Sequence, residues 1–332
     1  MKKLLMVVFV VFILLTINFT GYASGEKVLD LIAATIFMPN QVDAQALHLI
    51  AKRVDELSNG QIKMTVYDSA SLYDQGAEND ALANGLFDMS IGALDDRPNL
   101  HYPAMFKSAY LFSGREHAMS FYQGEMGQRV FEDYAKYNGL RPLGTIYLGV
   151  REMILNRTDE IKTPQDLKGV KLRMPGGPDW TALGEAIGVT PTPIPFNDVY
   201  MALKTGLVDG AENELDIFEE MKWSEAGKQI VLTEHIIWVL QPTFNEAKWQ
   251  SLTDQQREWI QQATDEACEW ASNQHIEAEA KMIDIFKSRG LIITVPDKQA
   301  FVEYASNYYK TNKEITKNWN WEIYDYCLSG KK

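Results

Sequence analysis

The stretch from Thr253 to Arg289 contains no Pro and no Gly, and Ala, Glu, Gln, Lys and Trp dominate it. Thr253 and Gln256 have the spacing of a capping box, and Gly290 follows as a stop signal. Roughly 36 helical residues at 1.5 Å each give a helix about 54 Å long. Because one domain of about 120 residues is narrower than this, we expect the helix to brace two lobes and restrict their relative motion. The alternative is two shorter helices with a break near Ser272.

Upstream of this stretch, the hydrophobic pattern alternates between strands and helices. One-sided apolar stripes mark the helices, and period-two alternation or short apolar runs mark the strands. The predicted elements are the strand Val28–Ala34, the helix Pro39–Leu57, the strand Ile62–Val66, the helix Asp74–Asn84 and the strand Phe87–Gly92. This order is typical of an α/β unit with a largely parallel sheet, in which right-handed crossovers place helices on both faces.

A second series of the same kind follows without a flexible linker. Its predicted elements are a helix over Arg115–Tyr137, strands Pro142–Leu148 and Arg151–Asn156, a helix opening at Thr163–Asp166, strand Val170–Met174, helix Pro178–Ile187, strand Val189–Ile194 and helix Asn197–Thr205. We therefore predict an α/β protein of two lobes. Residues 25–148 and 239–278 are assigned to lobe I, and residues 149–238 and 279–332, with the carboxyl-terminal helices, to lobe II.

The amino terminus has the organisation of a secretory signal peptide. Lys2 and Lys3 precede an apolar core from Leu4 to Ile17, and small residues dominate Gly21 to Ser24. This order predicts a cleaved signal peptide over residues 1–24 and a mature protein in the periplasm. A simple amino-terminal anchor is the alternative, although the apolar core is short for a membrane span. No Cys lies directly after the core, which disfavours a lipoprotein.

The charge balance is strongly acidic. The formal net charge is -13, and loss of the two lysines of the signal peptide makes it -15. A protein of this charge repels nucleic acid and anionic lipid, so we expect neither as a partner, and we expect a monomer. The two cysteines, Cys268 and Cys327, are too few for a disulfide scaffold. Whether they form one bridge in an oxidising compartment stays open.

Motifs of hydrolytic, metal and nucleotide chemistry are missing from the sequence. It contains no HExxH, GxSxG, P-loop or GxGxxG pattern. The histidines are scattered without the spacing of metal ligands. They are His48, His101, His117, His235 and His275. We therefore predict a protein that is not an enzyme and that uses no cofactor and no metal.

One strand end is a candidate ligand site. Arg173 ends a predicted strand, and Met174 to Pro178 turn the chain away behind it. In an open parallel sheet, ligands bind beyond the carboxyl ends of the strands, and an arginine there offers a planar fork to a carboxylate. The alternative is a surface arginine paired with a neighbouring acid. Asn213 closes the next unit, where its amide either donates to the same carboxylate or caps a helix.

The segment Thr163–Pro175, TPQDLKGVKLRMP, resembles the signature of the DctP-type extracytoplasmic solute-binding proteins, which serve tripartite ATP-independent periplasmic (TRAP) transporters. Further matches follow the order of that family and together cover nearly the whole mature chain. They are SNGQI at 58–62, ANGLFDM at 83–89, PFNDVYMALKTGLVDGAEN at 195–213 and Trp249-x-x-Leu252 before the long helix.

The resemblance implies roles for several residues. Arg173 matches the arginine that forms a salt bridge with the ligand carboxylate, and Asn213 matches the asparagine that helps to hold it. Phe196 matches the aromatic residue that packs on the ligand; a core position at a helix start is its alternative. Arg151 lies where many members carry a second pocket arginine, although its spacing to Arg173 is longer than in some of them. Glu78 lies where certain members contact polar ligand groups; a solvated helix face is its alternative.

Three further residues are candidates. Trp180 and Trp238 either line the cleft or pack in the core or at the surface. Glu214 stands where the family usually has Pro, so its carboxylate either accepts hydrogen bonds from ligand hydroxyls or an amine or favours the start of the next helix.

The resemblance also implies a fold and a function. We expect the two-lobed periplasmic-binding-protein fold, with a ligand cleft between the lobes and a long helix spanning both. The expected function is capture of a small organic acid and its delivery to a TRAP permease. A receptor that presents to a membrane histidine kinase is the alternative, and an enzyme acting on an organic acid is a third. Relatives bind dicarboxylates, sugar acids, sialic acids, keto acids and aromatic acids, and Glu78 and Glu214 favour a sugar acid among them.

Overall fold

The structure, a computed structural model, describes residues 28–97 and 99–330. The predicted signal peptide, residues 1–24, lies outside these residues. Among the helices of the described residues, none has both the length and the apolar character needed to span a membrane.

In the described part of the chain, ten strands form one mixed sheet, in which eight follow the order β2-β1-β3-β9-β5-β8-β6-β7, while β4 and β10 pair with β9 off this path. We call β1 to β4 the first strand group, and β6, β7, β8 and β10 the second strand group. The strands are β1 Leu29–Ala34, β2 Ile62–Tyr67, β3 Met89–Gly92, β4 Leu140–Pro142, β5 Ile146–Leu155, β6 Lys171–Met174, β7 Thr190–Pro193, β8 Gly210–Glu214, β9 Gln229–Asn245 and β10 Ile292–Thr294.

Helices pack against the strands of this sheet, as the alternation of strands and helices predicts. They are α1 Val42–Leu57, α2 Glu78–Ala83, α3 Arg115–Gln123, α4 Glu125–Asn138, α5 Pro178–Ala186, α6 Val199–Thr205, α7 Leu215–Glu220, α8 Glu246–Ser251, α9 Asp254–Ser288, α10 Lys298–Thr311, α11 Lys313–Thr316 and α12 Trp321–Ser329. Short 3-10 helices are Tyr102–Lys107, Pro164–Leu167, Phe196–Asp198 and Trp223–Glu225.

Two long antiparallel strands, β5 and β9, connect the strand groups. The first part of β9, from Gln229 to Leu240, pairs with β5. Its last part pairs with β3, where Gln241 lies opposite Gly92. The sequence predicted two strands, Pro142–Leu148 and Arg151–Asn156, where β5 is one. Gly149 has φ +148°, and the pairing of β5 with β9 shifts its register there, so the gap between the two predicted strands is a bulge inside a continuous strand.

Helix α9 runs unbroken for 35 residues, which corresponds to about 53 Å. The predicted capping box is present: the Thr253 hydroxyl accepts from the Gln256 backbone N–H, and the Gln256 side chain accepts from the Thr253 backbone N–H. The break considered near Ser272 does not occur. Helix α9 packs against α1 beside the first strand group, against α7 and β10 beside the second, and along β5 between them. This is the bracing arrangement that its length suggested.

The carboxyl-terminal helices cross from one strand group to the other. Helix α10 packs against α5 of the second group. Helix α12 instead contacts α3 and α4 beside the first group, where Tyr326 lies 6.2 Å from Phe121 between ring centroids and Glu322 forms an ion pair with Arg129 at 3.1 Å. The sequence assigned this whole region to lobe II, because nothing in its own pattern shows where its last helix docks.

Several predicted boundaries move. The helix predicted over Arg115–Tyr137 is two helices divided at Gly124, and the helix opening at Thr163 is a 3-10 helix of four residues with a complete capping box. The helices predicted to start at Pro39 and Asp74 start at Val42 and Glu78. Cys268 and Cys327 are both buried and free.

Candidate functional site

A cavity of about 970 Å³ lies between the two strand groups. Its wall takes Phe37 and Glu78 from the side of the first group, Arg173 and Phe196 from the side of the second, and Leu240 from β9. Much of this wall follows the carboxyl ends of parallel strands, where ligand crevices form in open α/β sheets.

Arg173 lies in β6, and its side chain is fully buried against the cavity. Its Nε donates a hydrogen bond to the Ile194 carbonyl oxygen at 2.8 Å, whereas Nη1 and Nη2 have no partner among the described residues. Burial lowers the pKa of Arg173 to about 9; Glu212 opposes this change and Arg151 adds to it. The guanidinium stays charged at neutral pH, and two of its nitrogens remain available for a planar acceptor.

Asn213 lies in β8 beside Arg173 and lines the same cavity. Its Oδ1 accepts a hydrogen bond from the Glu214 backbone N–H at 3.1 Å. The N-cap residue of α7 is Glu214, and Asn213 makes no capping hydrogen bond to that helix. With its oxygen engaged, the Asn213 amide nitrogen is the group left to face a ligand.

Arg151 also lines the cavity, but acidic residues surround its guanidinium. Nε and Nη2 donate to the Glu212 carboxylate at 2.6 and 2.7 Å, and Nη1 donates to Glu214 at 3.1 Å. The Trp180 and Trp238 rings lie 4.9 and 5.4 Å from its Cζ. Arg151 is therefore neutralised and held rigidly before any ligand enters.

The two acids that hold Arg151 differ in their protonation. Burial alone would raise the pKa of Glu212, but Arg151 and a hydrogen bond from His235, whose ring nitrogen lies 3.3 Å from the carboxylate, lower it to about 2. Burial raises the pKa of Glu214 to about 7 against the attraction of Arg151. Glu214 is buried behind Arg151 and is not among the residues that line the cavity, so its position does not favour the ligand contact considered from the sequence.

The wall beside α2 is rich in acceptors. Glu78 is buried, so it does not lie on a solvated helix face, and its Oε1 has no partner among the described residues. Burial, with a smaller contribution from repulsion by Asp95, raises the pKa of Glu78 to about 8. Burial also raises the pKa of Asp96 to about 6. Asn79 donates to Asp95 at 2.8 Å. This wall is suited to groups that donate hydrogen bonds.

Aromatic side chains complete the cavity. Phe196 lies between Phe37 and Trp223, with ring centroids 6.0 and 5.9 Å away, so it packs in the core and faces the cavity at once. Trp180 and Trp238 lie 5.1 Å apart and also line it. Seven of the eight predicted site residues thus meet at one cavity, Glu214 being the exception. They are Arg173, Asn213, Arg151, Phe196, Glu78, Trp238 and Trp180.

The sequence analysis missed Lys107. This lysine ends the 3-10 helix Tyr102–Lys107, its side chain is 1% exposed, and it forms ion pairs with Asp95 and Asp179. Asp95 follows β3, whereas Asp179 lies in the first turn of α5, so the lysine joins the two sides of the cavity. No motif surrounds it, and its two acids lie 12 and 72 residues away, so the sequence carried no signal for it. In residues 28–97 and 99–330, no cluster of His, Cys, Asp and Glu could hold a metal ion.

The chain is similar to known bacterial solute-binding proteins. The model of bacterial extracellular solute-binding protein family 7 matches residues 33–315. The sialic acid-binding periplasmic protein SiaP of Vibrio cholerae is 31% identical over 271 residues, which cover 81% of this chain and 84% of that protein. The 2,3-diketo-L-gulonate-binding periplasmic protein YiaO of Escherichia coli is 28% identical over 275 residues, 81% of this chain and 82% of that protein.

The structure is also similar to that of a solved solute-binding protein. The chain resembles a TRAP periplasmic solute-binding protein from Roseobacter denitrificans with bound 3-deoxy-D-manno-oct-2-ulosonic acid. The TM-score is 0.84 at 28% identity, and the match covers 92% of this chain and 100% of that one.

Proposed function

The chain belongs to bacterial extracellular solute-binding protein family 7, and from this premise we propose that it binds a sugar acid by a single carboxylate and delivers it to a TRAP permease. Members of this family are extracytoplasmic binding proteins and not enzymes. The relatives are transport receptors, which favours a permease over a histidine kinase as the partner. We propose in addition that residues 1–24 are a cleaved signal peptide, that the lobes follow the strand groups and that the protein is a monomer.

The observation that carries the proposal is the pair of unpartnered nitrogens on Arg173. A buried charge without a partner is unfavourable, so the cavity favours an anion at this position. A carboxylate that accepts from Nη1 and Nη2 has the planar shape of the guanidinium fork, and the Asn213 amide is placed to add a third donor.

The charges of the cavity indicate one carboxylate rather than two. Lys107 is neutralised by two aspartates, Arg151 by two glutamates, and Lys317 at the rim pairs with Glu314 at 3.0 Å. Arg173 is the cation of the cavity wall that has no acidic partner among the described residues. A second carboxylate on the ligand would find no unpaired cation among the described lining residues.

The rest of the cavity suits a polyhydroxylated acid. Hydroxyl groups donate to the oxygens of Glu78 and Asp96, and a volume of about 970 Å³ is large for a four-carbon acid. The relatives named above bind sialic acid, 2,3-diketo-L-gulonate and 3-deoxy-D-manno-oct-2-ulosonic acid, which are acids of this kind.

The test is calorimetry on the protein after removal of bound acid. A thermal-shift screen of N-acetylneuraminate, 3-deoxy-D-manno-oct-2-ulosonate, D-glucuronate, D-galacturonate and succinate identifies the tightest ligand, because binding to the folded state alone raises Tm. Arg173→Lys keeps the charge but loses the fork, so it should weaken that ligand on the order of a hundredfold. Unchanged affinity in Arg173→Lys, or preference for succinate, would overturn the proposal.

A further inference from the structure

The segment between α10 and α12, residues 312–320, runs along the cavity; we call it the C-terminal strap. It contains α11, Lys313–Thr316, and ends at Asn320, whose side chain caps α12. The family model ends at residue 315, so half of the strap and all of α12 lie beyond the region matched to the family.

The strap is attached on both sides of the cavity. On the side of the second strand group, the Tyr308 hydroxyl in α10 donates to Glu185 in α5. On the side of the first, α12 is held by the Arg129–Glu322 ion pair and by the contact between Phe121 and Tyr326. The strap therefore crosses from one wall of the cavity to the other and is held at both ends.

Its residues form part of the cavity wall: Glu314, Ile315, Lys317, Asn318 and Trp319. Trp319 is buried, with its ring 5.1 Å from Tyr309 and 4.8 Å from Tyr324. The Tyr309 hydroxyl accepts from the Ala109 backbone N–H at 3.0 Å, which joins this aromatic cluster to the chain that follows Lys107. A rigid support of this kind holds the neighbouring strap residues at the cavity.

Unlike the buried Trp319, the strap residues Asn318 and Lys317 are exposed, although both line the cavity. Asn318 makes no side-chain hydrogen bond within residues 28–97 and 99–330. An amide at the edge of a cavity, on a firmly held backbone, is free to donate to and accept from hydroxyl groups. An indole face beside it suits the apolar face of a sugar ring.

We infer that the C-terminal strap is a wall of the ligand site and selects among acids by the part remote from the carboxylate. This inference rests on the proposed function. Arg173 and Asn213 come from β6 and β8 and recognise the carboxylate that every candidate acid shares. The strap adds a separate set of lining residues between Glu314 and Trp319, and we assign to them the polyhydroxyl tail, in which these acids differ.

The test compares Asn318→Ala and Lys317→Ala with Lys310→Ala, an exposed lysine of α10 that is not a lining residue. Affinities for N-acetylneuraminate, 3-deoxy-D-manno-oct-2-ulosonate and D-glucuronate are measured by calorimetry. Loss of a ligand hydrogen bond of about 1 kcal/mol corresponds to roughly a fivefold change. We expect such a loss for the tightest acid in at least one strap variant, a changed ratio between acids, and no change in ligand-free Tm or in Lys310→Ala.

The outcomes separate the two proposals. If an acid binds through Arg173 but both strap variants keep its affinity and the ratio between acids, the strap inference is wrong and the carboxylate receptor stands. If Arg173→Lys binds as the unmodified protein does, the receptor proposal fails, and the strap inference fails with it. A fall in affinity that is equal for all acids and accompanied by a lower ligand-free Tm would reduce the strap to a structural support.

Discussion

Replacing Arg173 with methionine should remove acid binding and yet stabilise the ligand-free protein. Burial disfavours the charged form of Arg173 and lowers its pKa to about 9, well below the ordinary value of an arginine. One pKa unit corresponds to about 1.4 kcal/mol, so the charged side chain destabilises the fold by on the order of 5 kcal/mol. Methionine has similar length and no charge.

Part of this gain in the free energy of unfolding is offset by a lost hydrogen bond. The substitution removes the hydrogen bond from Nε to the Ile194 carbonyl oxygen, and an acceptor left unpaired costs about 1–3 kcal/mol. The balance is an increase of about 2 kcal/mol in the free energy of unfolding, or a rise in Tm of at least roughly 3 °C. Differential scanning calorimetry and urea denaturation on acid-free protein measure the stability, and titration calorimetry measures the loss of binding.

Arg151→Met is the matched control, because it changes the other buried arginine of the same cavity. Arg151 is paired with Glu212 and Glu214, so its removal leaves two buried acids without their cation and should destabilise the fold by about 3–5 kcal/mol. The two substitutions are therefore expected to change stability in opposite directions. If Arg173→Met destabilises the ligand-free protein as Arg151→Met does, the guanidinium is part of the structural framework, and the reasoning for a carboxylate clamp is refuted.

Two other predictions concern the cavity wall. Asn213→Ala should weaken the cognate acid by roughly tenfold or more, the value of a hydrogen bond to a charged group, while the ligand-free Tm falls only by the loss of the hydrogen bond to the Glu214 backbone N–H; a larger drop in Tm would instead assign the side chain a structural role. Burial and Asp95 raise the pKa of Glu78 from 4.5 to about 8, so its contribution to stability is complete below pH 4.5 and is lost as the pH rises through 8. Glu78→Gln should therefore lessen the decline of the urea midpoint between about pH 5 and about pH 8.5, and an identical decline in both proteins would contradict the burial argument.

Local patterns were sufficient for most of the fold. The capping box of Thr253 and Gln256, with a Pro- and Gly-free run behind it, predicted a helix that the structure extends over 35 residues. The sequence patterns failed at one glycine, because its presence there depends on a tertiary contact. Gly149 lies between the two predicted strands, but a Cβ there would lie 2.9 Å from Cγ of Glu214, so the glycine permits close approach within one continuous strand.

The site was predictable only in part. The position of Arg173 at a strand end follows from sequence, and so does its fork geometry. Its lack of partners does not, because pairing depends on which acids the fold brings near. Arg151 forms ion pairs with two acids of a neighbouring strand, Glu212 and Glu214, whereas no acid of the described residues forms an ion pair with Arg173. Lys107 was missed for the same reason, since its role arises from contacts distant in sequence.

The shared strands β5 and β9 determine how this molecule comes apart. Each strand is a single hydrogen-bonded element, and β9 pairs with β5 over one part and with β3 and β4 over the other. Melting of either strand group would release one part of β9 while the other group still holds the rest of that strand. Thermal unfolding should accordingly be one cooperative transition, and cutting the chain at a lobe boundary should yield no fragment that folds independently.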